Sequence, residues 1–158
     1  MHPEARVLWQ ALEFRTPAMM SCLARLTEAQ MSWQPPNGAN SAAWLLWHIA
    51  EVEDNWIRDK VLGEAKEYPF GTSVKAVDRK EYPSKSALLD YFQRVRASSR
   101  ERLERMTPAE LERPVHDEHF GLIDVRGVWI GVATSCSWHG GQIALLANRL
   151  IPAGGEGA

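Results

Sequence analysis

Apolar positions along the chain gather into four long stretches with helical spacing. In the last, Val128, Val132, Ser135, His139, Ile143, Leu146 and Leu150 recur at steps of three and four, the spacing of one helical face. That face is apolar except at its middle, where Ser135 and His139 stand one turn apart. The first stretch carries Leu8, Leu12, Met19, Leu23 and Leu26. Pro17 lies inside it, removes a backbone donor, and predicts a kink near Glu13 or Phe14. The second carries Leu45, Ile49, Val52 and Trp56, with His48 on the same face. The third carries Leu88, Phe92, Val95, Leu103 and Met106, interrupted by Ser98 and Ser99, which leaves room in the core. Together they predict helices over about 3–26, 40–62, 84–106 and 125–150.

Local signals bound these helices. Asn40 or Ser41 can cap the second, and Gly63 sits where a left-handed C-terminal residue is wanted. Asp124 can cap the last, which should end before Pro152. Thr27-Glu-Ala-Gln30 reads as a capping box opening a short turn, and Thr107-Pro-Ala-Glu110 echoes it after the third helix. The chain therefore reads as two helix–turn–helix hairpins joined by an unpatterned crossover of about 20 residues, from Glu64 to Pro83. An all-α four-helix bundle with one long crossing connection follows. Residues 115–124 look too polar and too short for a core element, which puts His116 and His119 on a surface loop. One domain over 1–152 and a disordered Gly-rich tail over 153–158 complete the expectation.

Composition adds mostly exclusions. A net charge of −2, with 18 Lys plus Arg against 20 Asp plus Glu and no basic run, predicts no nucleic-acid partner. No apolar run reaches the length of a membrane span, and no signal-peptide core is visible, so a cytoplasmic location is expected. Cys22 and Cys136 should then stay reduced. The 7 Trp are many for this length. Trp44, Trp47 and Trp56 surround His48 in sequence, while Trp129 and Trp138 flank the turn of Ser135 and His139. They serve either as core filling or as the aromatic wall of a pocket.

A titratable ring on an apolar face must be hydrogen-bonded or do chemistry. His48 and His139 both face inward on this assignment, from helices two and four. Two readings stand. The rings share a metal, imidazole being a common ligand for zinc and suited to nickel and iron, or they are neutral and satisfied by Ser, Gln or backbone partners. Ser135 and Cys136 are also within helical reach of His139, as a nucleophile needs of its base, but mid-helix residues offer no oxyanion hole. Glu51 edges toward solvent, with a role as spare ligand or base left open; Glu53 and Asp54 fall off the apolar face and should be solvated.

The run Ser41-Ala-Ala-Trp44-Leu-Leu-Trp47-His48-Ile-Ala-Glu51, the run His139-Gly-Gly-Gln142-Ile143, and the two capped turns at Thr27 and Thr107 resemble the signatures of the DinB-like superfamily, in the family's order. The resemblance implies four helices running up-down-down-up, often as a homodimer. It also implies a divalent metal held by one histidine of helix two and two ligands one turn apart on helix four. His48 matches the first ligand and His139 the last. The middle position, histidine or glutamate in relatives, falls on Ser135. Relatives include thiol-dependent transferases and isomerases using bacillithiol, mycothiol or glutathione. The implied activity is thus a metal-dependent thiol S-transferase or isomerase, with zinc or nickel weakly held by His48 and His139. Ser135, Trp44 and Gln142 are the implied substrate contacts. The alternative is a non-catalytic small-molecule-binding or stress-related bundle that has lost its metal.

Overall fold

The computed structural model describes residues 1–36, 39–75, 82–118 and 120–152. His119 and the expected tail over 153–158 lie outside them. Among the described residues the fold is mostly helical with one small two-stranded sheet.

The kink expected in the first arm is a full break: α1 (Pro3–Glu13) is followed by α2 (Thr16–Arg25), with Phe14 and Arg15 between them. Pro17 has no N–H for the Glu13 carbonyl, so the hydrogen-bond ladder cannot run through. The Thr27–Gln30 capping box opens α3 (Glu28–Ser32). The second arm is α4 (Ala42–Trp56), capped by Ser41, whose hydroxyl accepts from the Trp44 amide at 3.1 Å. It continues as a π-helical turn over Ile57–Leu62 and stops at Gly63, whose φ of 69° is left-handed. Within the crossover, Ser73–Lys75 forms a single 3₁₀ turn.

The third arm, α5 (Lys85–Arg105), is capped by Ser84. The second capping box, Thr107 with Glu110, opens α6 (Pro108–Leu111), so the internal echo is structural. The last arm, α7 (Val125–Leu145), begins at Asp124, whose carboxylate accepts from the Gly127 amide at 2.7 Å, and continues as a π-helical turn over Leu146–Leu150.

Packing α4 against α5 and α7, with α1 and α2 against α7, makes one core. Leu8, Leu12, Met19, Leu23 and Leu26 are all buried, as are Leu88, Phe92, Val95 and Leu103. Trp47 and Trp129 belong to this core. Leu150, expected on the buried face, is exposed at the end of the π-helical turn. Among the described residues, no helix is long and apolar enough to cross a membrane.

Two expectations need correction. Residues 115–124 are not a plain loop. They form an antiparallel hairpin of β1 (Pro114–Asp117) and β2 (Gly121–Asp124), with Pro114 opposite Asp124. Val115 and Asp117 are buried while His116 is exposed, a period of two too short to register in a sequence dominated by helical spacing. The acidic residues of α4 are not solvated either. Glu53 is 1% and Glu51 6% exposed, and the half-buried Asp54 binds Arg58 at 2.9 Å. A helix covered on two sides buries residues that lie off its main apolar stripe. Each then needs a partner. Glu53 takes the guanidinium of Arg96, a residue of α5 that is itself buried, and Ser99 lies beside the pair, in the room left by the serines.

Candidate functional site

Three stretches of chain meet between α4 and α7. On α4, Trp44, His48 and Glu51 follow one another at helical steps and so share a face. On α7, Gly127, Gly131, Ser135 and His139 recur at every fourth residue. The 3₁₀ turn at Ser73 closes the side.

The His48 and His139 rings lie 5.1 Å apart between centroids and nearly perpendicular, at 85°. Trp44 stacks on His48 at 4.6 Å and meets His139 edge-on at 6.4 Å. His48 Nδ1 is 3.1 Å from Ser73 Oγ, and His139 Nδ1 is 2.9 Å from Gln142 Oε1. Burial, reinforced by the neighbouring His139, lowers His48 to about 4, so the ring is neutral at pH 7.

Both imidazoles and Ser135 line a cavity of about 770 Å³. Apart from Thr134 its other walls are apolar, including Trp56, Phe120, Ile130 and Trp138. The edge of the Trp56 ring can approach α7 closely because residue 131 is glycine: a Cβ there would come within 2.7 Å of the Trp56 ring. Trp138 is 69% exposed and stands at the rim. Trp44 lies behind His48 and is not among the lining residues, while Gln142 is exposed and reaches the site only through His139.

Cys136 faces elsewhere. Its thiol accepts from Arg96 Nη2 at 3.4 Å inside the core, and burial pushes it up from the ordinary range, so it is no nucleophile for this cavity. Cys22 and Cys136 are both free and buried. Sequence reasoning missed Ser73, which sits in an unpatterned loop, and placed Glu51 at the wrong edge of its helix.

A family model for the DinB superfamily matches residues 11–143, well over half of the chain. The chain belongs to the DinB superfamily. No curated protein matches it.

The donor set of this DinB-superfamily chain fits a divalent metal in two positions. His48 and His139 supply borderline nitrogen donors of the kind zinc and nickel accept, and one of the two is held neutral. Among the described residues, no group of three or more His, Cys, Asp or Glu is placed to hold a metal. Among the described residues the third protein donor is therefore a serine hydroxyl or nothing. A cation held here would be completed by water or by a substrate atom.

Proposed function

We propose that this chain is a small-molecule-handling DinB-superfamily bundle, its four arms running up-down-down-up with the long crossover between the second and third. Its working site is the cavity beside His48 and His139. The reaction class that fits best is thiol S-transfer or isomerisation of a thiol adduct, with a low-molecular-weight thiol as one partner. One observation carries this reading: two imidazoles 5.1 Å apart line a mainly apolar cavity large enough for a small molecule.

In that reading His48 and His139 would hold zinc or nickel, and Ser135 would hydrogen-bond a water in the remaining space. A divalent cation so held lowers the pKa of a bound thiol or water and supplies a nucleophile at neutral pH. The chain's own residues do the rest. The neutral His48 ring is ready to donate a lone pair, and the indole and phenyl walls offer apolar surface to the hydrocarbon part of a substrate. We further propose a homodimer located in the cytoplasm.

A second reading has its own support. With no third strong ligand among the described residues, the chain can be a binding bundle without catalysis.

The deciding experiment is metal analysis on untagged protein, parallel to activity screens with thiols and electrophilic acceptors in added zinc, nickel or manganese. We expect low metal content in the parent, strong uptake in Ser135→His, and none in His139→Ala. Failure of Ser135→His to gain metal overturns the shared site. Metal uptake without turnover of any thiol pair leaves the binding reading. Light scattering that finds only monomer at micromolar concentration removes the dimer.

A further inference from the structure

The crossover between α4 and α5 has no apolar period, yet Ser73 within it is 0% exposed. A buried amide, carbonyl and hydroxyl all need partners. Ser73 finds every one of them on a single face of α4. Its N–H donates to Glu51 Oε2 at 2.8 Å, and its hydroxyl donates to Glu51 Oε1 at 3.1 Å. Its carbonyl accepts from Trp44 Nε1 at 2.7 Å. Its Oγ also lies 3.1 Å from His48 Nδ1. Thr72 adds a third donor to the same carboxylate, at 3.1 Å.

The direction of these bonds has a chemical consequence. A serine hydroxyl has one proton, and a carboxylate can only accept. With the Ser73 proton given to Glu51, the side of Oγ that faces His48 is a lone pair. A bare Nδ1 opposite it would bring two lone pairs together, so Nδ1 must carry the proton. In a neutral imidazole the other nitrogen, Nε2, is then the acceptor.

We propose that Glu51 and Ser73 are positioning residues of the site: together they hold His48 in its Nδ1–H tautomer and leave the Nε2 lone pair for the cavity. The inference rests on that cavity being the working site. Neither residue touches the space where a ligand would lie; each acts through the imidazole. A fixed tautomer and ring orientation are what an outer partner supplies to a ligating or proton-accepting histidine. Here the carboxylate reaches the ring through an intervening hydroxyl. Trp44, stacked on His48 and bonded to Ser73, braces the same unit.

The test is a two-bond ¹H–¹⁵N correlation of the imidazole nitrogens in full-length protein stripped of metal with chelator, at pH 7. In the parent we expect a pyrrole-type Nδ1 and a pyridine-type Nε2 for His48. Ser73→Ala should exchange the two signal types wholly or in large part. Glu51→Gln, whose amide can turn a donor toward Ser73 Oγ and release the hydroxyl proton to face His48, should give a mixture. A purely structural role would change stability without exchanging the nitrogens. A parent His48 protonated at Nε2 overturns the proposal, and so does an unchanged pattern in a folded Ser73→Ala. The parent spectrum decides even if a variant fails to fold. Because no metal or substrate is present, the outcome separates from that of the functional reading. A fixed Nδ1–H tautomer without thiol chemistry keeps the relay and sinks the enzyme; metal uptake with the other tautomer does the reverse.

Discussion

Arg96 of α5 and Glu53 of α4 form an ion pair inside the protein, with Nε and Nη2 both donating to Glu53 Oε2 at 3.2 and 2.9 Å. The same guanidinium reaches every other arm. Nη1 donates to the Leu12 carbonyl at 3.1 Å, the Glu13 carboxylate at 2.6 Å and the Thr16 hydroxyl at 3.0 Å, across the break between α1 and α2. Nη2 also reaches Cys136 Sγ of α7 at 3.4 Å. Burial alone pushes the Glu53 carboxyl up and works against the Arg96 charge, and each partner opposes that in the other.

Removing one partner should be far worse than removing both. Arg96→Ala leaves a buried carboxylate without its cation and the α1–α2 break without its donor, and should cost about 3–5 kcal/mol. Replacing the pair together, as Arg96→Met with Glu53→Leu, should recover much of that loss. Urea unfolding of the single and double variants checks this. A cost under about 1 kcal/mol for Arg96→Ala would mean the pair does not hold the arms together.

The glycines of α7 should answer unequally to alanine. Gly131→Ala puts a Cβ within 2.7 Å of the Trp56 ring, which must shift at a cost of about 1–3 kcal/mol. Its tryptophan emission should shift with it. A Cβ on Gly141 meets nothing within 4 Å, so Gly141→Ala should stabilise the helix by about 0.5–1 kcal/mol. Equal melting shifts for the two would refute the tight contact at Trp56.

Stability should fall on mild acidification because of His48. Its folded value, about 4, lies below the ordinary 6.5, so the unfolded chain binds more protons between those limits. The contribution of a neutral His48 is complete above about pH 6.5, is lost progressively as pH falls toward 4, and changes no further below that. His139 from α7 faces the ring directly, and Glu51 lies behind Ser73. Comparing urea midpoints of the parent and His48→Gln at pH 7 and 4.5 isolates the term. The parent should lose more than the variant over that interval, and parallel losses would show that His48 already titrates normally.

What the sequence determined by itself was local. Pro17 broke the first helix because a missing N–H acts on its own turn. Thr27, Ser41, Thr107 and Asp124 capped their helices because the amides they satisfy lie three residues away, and Gly63 ended one for a similarly short-range reason. Periodicity also found part of the core of every arm, though Val52, Trp56 and Met106 are only half-buried and Leu150 is exposed, and the family signatures pointed to His48 and His139. Only the tertiary structure decided which neighbours covered the flanks. Spacing along α4 cannot reveal that a second helix and a loop bury Glu53 and Glu51, nor that Arg96 is the answering cation. Nothing within the crossover marks Ser73, since its partners lie 22 to 29 residues away in sequence. The hairpin at 114–124 went unread because a strand of four residues has one period of two and is stabilised mainly by its partner. Buried polar groups are matched through space, and that matching, rather than any motif, gives the site its geometry.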